Sequence, residues 1–371
     1  MNQHLEKSIK VVYLIESLAR GGKERRLVEL VLQLSNSKIF QIHLVLNRSE
    51  IDFNEIRHLN LPIYFLSEQK SKVTLNTFVK LFKIMNRIRP DIVHTWGGIN
   101  SLIAILLKPF FGYVIVNSQI TAAPAYVKRS FLFHKLPFAF SDVITANSKA
   151  GLLAYDSQGQ KSKVIYNGFD FKRVTNLPSS DSVKTKFGIA SQFVVGMFSN
   201  LTPAKDYPIF FTIAEKILNE RDDITFICAG KGDFTDLFAS LSKKARLRFQ
   251  IMGPLENVEE VMSICDIGLQ LTNTNGHGEG ISNSILELCA LGKCVIATDC
   301  GGSPEIIENG VSGFLVDNNA DSISDLIELL FNDGNKRTQI GNNAREVIKL
   351  KFSIERMVEE FRQIYEGSTV K

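Results

Sequence analysis

The sequence has no apolar run long enough to cross a membrane. Its most apolar stretch, residues 101–116, is broken by Lys108, Pro109 and Gly112, well short of the ~20 unbroken apolar residues that a spanning helix needs. The run near the N-terminus ends at Glu16 without a small-residue cleavage site, so no secretory leader is expected. Cysteine is scarce: five residues, an odd number, with no CxxC pair and no histidine cluster beside them. That argues against a disulfide framework and against structural zinc, and for buried free thiols in a reducing cytoplasm. No DxD or HExxH pattern stands near the candidate site, so no metal is expected. A nucleic-acid-binding module is missing too.

What is present is a 371-residue chain with an ordinary globular balance, 44% hydrophobic and 22% charged. That length exceeds the roughly 250–300 residues at which a single core stops growing, so two domains are expected. The net charge of +4 is unevenly spread: 23 basic against 12 acidic residues through Lys172, and 20 against 27 after it. A basic first half suits an anionic surface such as a membrane or lipid phosphate, or it is a solvated bias with no partner. The stretch from Tyr126 to Leu136 interleaves Lys128, Arg129 and Lys135 with Phe131 and Phe133. It reads either as a contact for anionic headgroups or as a core-facing helix with a basic outer face.

Short β-branched runs at 9–15, 41–46, 62–66, 91–95, 113–117 and 142–146 alternate with helical periodicity at 24–34 and 75–88. The pattern restarts after a polar stretch, 167–192, that reads as a linker, with strands expected at 193–199, 224–229, 248–252, 266–271 and 294–299. Alternating strands and helices predict parallel sheets covered on both faces. The expected fold class is α/β, two Rossmann-like domains facing each other across a cleft. The domains are placed at 1–172 and 173–350, with a last helix at 351–371 crossing back to the first. Ligands of such sheets bind beyond the carboxyl ends of the strands.

The densest site-like segment is His277-Gly278-Glu279-Gly280-Ile281-Ser282-Asn283-Ser284-Ile285-Leu286-Glu287. A glycine-rich loop after a strand and before a helix, here expected from Ser282 to Leu291 with Gly292 as its cap, favours a phosphate through backbone N–H groups and the helix dipole. Glu287, one turn into the helix, is placed to accept ribose hydroxyls; the alternative is a capped surface helix with acidic residues near its start.

Seven residues separate Glu279 from Glu287, and this resembles the E-x7-E signature of retaining GT-B glycosyltransferases of group one, the glycogen-synthase-like enzymes. The continuation through Leu291-Gly292-Lys293-Cys294-Val295-Ile296-Ala297-Thr298, then Gly301-Gly302-Ser303-Pro304-Glu305, is similar to that family's succeeding helix, strand and loop. Asn167-Gly168-Phe169-Asp170, Gly230-Lys231-Gly232 and Gly21-Gly22-Lys23-Glu24-Arg25 match its other glycine motifs, so the resemblance runs from about Val11 to Phe361.

It implies transfer of a hexosyl or N-acetylhexosaminyl group, with retention, from a nucleotide sugar, UDP-linked, to a saccharide acceptor. Where the basic first half is read as a membrane contact, the acceptor would be a lipid-linked intermediate of surface polysaccharide, and the enzyme cytoplasmic, touching the inner membrane face peripherally. No cofactor is implied beyond the donor itself. Glu279 would contact the transferred sugar, Glu287 the ribose, and Gly280, Ile281, Ser282, Asn283 and Ser284 the sugar and phosphate. Lys205 would neutralise the diphosphate, with Gly21, Gly22, Asn200 and Gly230 completing the donor site. Without the resemblance, Lys205 reads as a solvated lysine after a proline turn. Asn200 stands where the family usually has arginine, leaving Arg20, Lys23 or Arg25 to make up the charge. The family's histidine after the strand ending near Asn117 is missing. His94, at the end of another strand, is the nearest candidate to activate the acceptor, and reads equally as a hydrogen-bonded strand-end histidine. Two other functions suit this pattern: a sugar-nucleotide epimerase of the same fold, and a non-catalytic sugar-nucleotide-binding subunit.

Overall fold

The computed structural model describes residues 8–67, 74–125 and 134–369. The chain forms two compact units: Met1–Thr121 with Val127–Gly168 and Ile354–Lys371, and Ala122–Tyr126 with Phe169–Ser353. The last helix, Ile354–Thr369, therefore belongs to the first unit.

The first unit carries a seven-stranded sheet made of β1 (Ile9–Ile15), β2 (Phe40–Leu46), β3 (Ile63–Phe65), β4 (Ile92–Thr95), β5 (Val114–Ile120), β6 (Val143–Ala146) and β7 (Ser162–Val164). The second carries β8 (Phe193–Phe198), β9 (Ile224–Ala229), β10 (Phe249–Ile251), β11 (Ile267–Gln270), β12 (Cys294–Thr298) and β13 (Phe314–Val316). Their orders are β3-β2-β1-β4-β5-β6-β7 and β10-β9-β8-β11-β12-β13, parallel throughout. Both contain the 3-2-1-4-5-6 arrangement of a Rossmann fold, with switch points between β1 and β4 and between β8 and β11.

Strand β1 shows why the sheet is buried on both faces. Val11, Tyr13 and Ile15 enter one hydrophobic cluster, while Val12 and Leu14 enter another on the opposite side, as a period of two requires. The C-terminal helix closes the first of these clusters with Met357, Phe361, Ile364 and Tyr365. In the second unit, Phe193, Val195 and Met197 of β8 pack on Phe210, Ile213 and Ile217 of the helix Tyr207–Glu220.

Two short strands escaped the sequence reading, β7 and β13, each three residues and only partly buried. The polar stretch read as a linker is not one throughout: it holds a 3-10 turn, Phe171–Val174, and a helix, Ser180–Phe187. That helix starts where the Ser179 side chain accepts from the Ser182 N–H and stops at Gly188 in the left-handed region. Four cysteines are buried and Cys300 is half-buried. Burial pushes the thiols of Cys228, Cys265 and Cys294 up to about 12, which keeps them protonated and unreactive. Residues 126–133 of the basic and aromatic stretch lie outside the described residues.

Candidate active site

The site in the second unit grows from the carboxyl ends of β8, β9 and β11. Gly230 follows β9 with φ +156°, and a Cβ there would lie 2.0 Å from the Ser199 carbonyl oxygen. Only glycine lets the two strand ends close up this tightly. Asn200, exposed, uses its side-chain oxygen to accept from the Lys231 N–H at 2.8 Å. The amide thus ties the two loops together and contributes no positive charge. Arg25, one of the cations suggested in compensation, pairs with Glu55 at 3.2 Å, and Lys23 pairs with Glu24 at 3.3 Å.

Lys205 sits on the loop before the helix Tyr207–Glu220, and that loop is pinned to the end of β11. The Asp206 N–H donates to Leu271 O at 3.0 Å, the Asn273 N–H to Ala204 O at 3.0 Å, and Lys205 bridges Thr272 antiparallel. Asp206 then caps the helix. From this fixed base the Lys205 ammonium, largely shielded from solvent, pairs with Glu279 Oε1. The other carboxylate oxygen, Oε2, accepts from Gln270 Nε2 at 3.0 Å.

Glu279 itself is held by backbone on two sides. The Ala123 N–H donates to Gly278 O at 2.9 Å, and Ala122 bridges Glu279 antiparallel. On the other side the Gly302 N–H donates to Glu279 O at 2.9 Å. Gly301 adopts φ +57°, and a Cβ there would strike that same carbonyl at 2.1 Å. The glycine pair after β12 is thus a buttress for the catalytic candidate.

Beyond the loop, the helix runs Asn283–Ala290 with Ser282 at its N-cap and Gly292 left-handed after its end. Ser282 makes no side-chain cap, and the hydroxyl of Ser284 donates to Phe198 O at the end of β8. Gly280, Ile281 and Ser282 are buried. Glu287 is also buried, 8% exposed, and its carboxylate accepts from Arg173 at 2.7 Å. Arg173 pairs with Glu259 as well and lies over the Phe169 ring at 5.0 Å. Its place is set by the 3-10 turn, which Asp170 caps by accepting from the Lys172 N–H at 2.9 Å.

Lys205, Glu279, Asn200, Gly230, residues 280–284 and Glu287 therefore lie along one edge of the second sheet. Gly21, Gly22 and His94 belong to the first unit. Gly21 caps, and Gly22 begins, the helix after β1.

His94, read equally as an acceptor-activating residue and as a hydrogen-bonded strand-end histidine, is hydrogen-bonded near the end of β4. It is 0% exposed, with Nδ1 sharing a hydrogen bond with the Tyr365 hydroxyl at 2.7 Å and Nε2 with Ser118 Oγ at 2.6 Å. Burial, and secondarily the Arg26 charge, hold its pKa well below 6.5. A histidine kept neutral in the fold protonates more readily when unfolded, so its contribution to stability is present above about 6.5 and is lost as pH falls below it. Thermal unfolding followed from pH 8 to 5 is expected to decline less steeply in His94→Gln than in the wild type; equal slopes would contradict this. Arg173, Glu259 and Gln270 were missed by the sequence reading. Only Gln270 had a local signal, an amide interrupting the apolar run Ile267-Gly268-Leu269-Gln270-Leu271.

Two Rossmann-like units, the second with a glycine-lined carboxyl edge that gathers a lysine and two carboxylates, are an architecture that many nucleotide-binding α/β enzymes share. Residues 180–347 match the model of the glycosyl transferases group 1 family. An uncharacterized glycosyltransferase of Methanocaldococcus jannaschii is 23% identical over 93% of this chain and 95% of its own. An alpha-1,4-N-acetyl-D-galactosaminyltransferase of Campylobacter jejuni, named for a diNAcBac-PP-undecaprenol-linked GalNAc disaccharide, is 21% identical over 96% of this chain and 98% of its own. Among solved structures, HepE of Anabaena in complex with UDP-glucose superposes with a TM-score of 0.84 at 21% identity, covering 97% of this chain and 100% of that one. The chain is a glycosyltransferase of the GT-B fold, and group 1 is the family these matches support.

Proposed function

We propose that the protein transfers a hexosyl or N-acetylhexosaminyl group, with retention, from a UDP-sugar to a saccharide acceptor carried on a lipid, in the assembly of a surface polysaccharide. The observation that carries this reading is the paired Lys205 and Glu279 beside a glycine loop, with Glu287 one turn into the following helix. The names of the Campylobacter and Anabaena proteins, a polyprenol-linked acceptor in one and bound UDP-glucose in the other, support the same donor and acceptor classes.

In this mechanism Glu287 holds the ribose hydroxyls, and the backbone of residues 280–284 faces the sugar and diphosphate. Lys205 meets the charge that gathers on the leaving diphosphate as the sugar departs. A diphosphate oxygen takes the proton of the attacking hydroxyl on the same face. The protein then supplies position and charge rather than a strong base, in keeping with His94 being committed to the core. Among the described residues no helix is long and apolar enough to cross a membrane.

The test is diphosphate release over a panel of nucleotide sugars, with and without membrane lipid extract. Release that requires the lipid fraction supports transfer. Isomerised nucleotide sugar without release would establish the epimerase instead, and nucleotide binding without turnover the non-catalytic subunit. Glu287→Ala is expected to weaken UDP binding by roughly 10–100-fold, the worth of hydrogen bonds to a charged group. Unchanged calorimetric affinity would remove Glu287 from the ribose site.

A further inference from the structure

We propose that Gln270 is the positioning residue of Glu279, the contact that holds this carboxylate in place once the donor diphosphate draws Lys205 away; the inference rests on the donor site proposed above. Gln270 is the last residue of β11, at the switch point of the second sheet, and is 1% exposed. The residues before and after it, Leu269 and Leu271, are buried and apolar. The strand itself therefore gives no reason for an amide, and an aliphatic side chain of similar length would fill the position.

The amide is explained by Glu279. Its Nε2 donates to Glu279 Oε2 at 3.0 Å, while Oε1 of the same amide is buried without a hydrogen-bond partner. The orientation is unambiguous, because a flipped amide would set its oxygen against a carboxylate. A buried acceptor left unpaired is unfavourable, and among the described residues the bond donated to Glu279 is the hydrogen bond that offsets it.

Glu279 thus has two side-chain donors of different character, the Lys205 ammonium and the Gln270 amide. A diphosphate competes for the ammonium, because its charge is greater than that of one carboxylate. It does not compete for the amide, which is buried on the strand. When Lys205 turns to the diphosphate, the amide keeps Glu279 aimed at the transferred sugar.

The full-length chain is tested as Gln270→Met, Gln270→Glu and the exchange Gln270→Glu/Glu279→Gln. In Gln270→Met, kcat on the donor found by the release screen is expected to fall about tenfold or more, the value of one positioned hydrogen bond to an ion. UDP affinity should stay within about twofold, since Glu287 and Lys205 are untouched. In Gln270→Glu two carboxyls meet and must share a proton. Its kcat should drop steeply as pH rises from about 5 to 8, a dependence missing from the methionine variant and abolished in the exchange variant. A methionine variant with unchanged kcat, or a glutamate variant with the wild-type pH profile, overturns the proposal. If wild type binds no nucleoside diphosphate, the donor-site reading fails by itself. The contact is then judged by thermal unfolding, where Gln270→Glu must lose stability relative to Gln270→Met as pH rises over the same range. Parallel curves would overturn it.

Discussion

Arg173→Ala is expected to be the most destabilising single substitution in the second unit outside its apolar core. Arg173 is mostly shielded and stands between Glu259 and Glu287, which are 6% and 8% exposed. Removing it takes the guanidinium from between two buried carboxylates. Breaking a buried pair in this way costs about 3–5 kcal/mol, most of it the penalty of the stranded charge. For a unit of this size that is a fall of roughly 6–20 °C in its unfolding midpoint. The deficit has a sign with pH. Two carboxylates at close quarters push one pKa up, so the folded variant takes up a proton that the unfolded chain does not, and the loss should shrink as pH drops toward 5. Arg173→Ala combined with Glu259→Gln should recover much of the midpoint at neutral pH. Differential scanning calorimetry of the three proteins decides it: an unshifted midpoint in Arg173→Ala would mean the triad carries no net stability. Donor binding should weaken alongside, because a Glu287 that shares a proton is a poorer acceptor for ribose.

Why this arginine was invisible in the sequence is instructive. Its partner Glu287 is 114 positions away, and nothing local marks a pair at that separation. What periodicity does reveal is burial. Most of the eleven strand runs stood out because strands covered on both faces are largely apolar, and ten of the eleven agree with the structure to within two residues at each end. The exception is β5, which runs on to Ile120 through the polar Asn117-Ser118-Gln119. The edge strands β7 and β13 are three residues each and only partly buried: β7 is Ser-Lys-Val, with the composition of a loop, and β13, Phe-Leu-Val, is apolar but too short to show a period. The helix Ser180–Phe187 buries Val183 alone, and only its caps, Ser179 and Gly188, announced it.

The same division holds for the site. Glu279, the loop and Glu287 were singled out because they lie on one continuous loop-and-helix segment. The pairing of Lys205 with Glu279, 74 positions apart, was not, because it depends on a loop pinned to the end of β11. His94 left two readings open, because the carboxyl end of a strand holds both site residues and hydrogen-bonded core residues. What decides its environment is the C-terminal helix, whose Tyr365 takes one ring nitrogen.

Lys205→Ala is expected to lower kcat by about 10²–10³, the typical loss when one preorganised group that stabilises a developing anion is removed. The size of the effect follows from the geometry of the site. The ammonium is carried by a loop fastened to the end of β11 through two backbone hydrogen bonds, so the base of the side chain is already in place when the diphosphate arrives. Its loss is compounded by Glu279, whose carboxylate is left facing the incoming negative charge with only the Gln270 amide beside it. Lys205→Arg keeps the charge but replaces a compact ammonium with a planar fork, and should restore only part of the rate. Glu279→Gln gives the contrasting outcome: Lys205 is released from its partner, so UDP binds at least as tightly as in the wild type while transfer slows. Steady-state rates and calorimetric UDP affinities of the three variants separate these effects. If Lys205→Ala turned over within about threefold of wild type, the leaving group would have to be met by another cation, and the pair with Glu279 would be no more than a surface tie between the loop and the sheet.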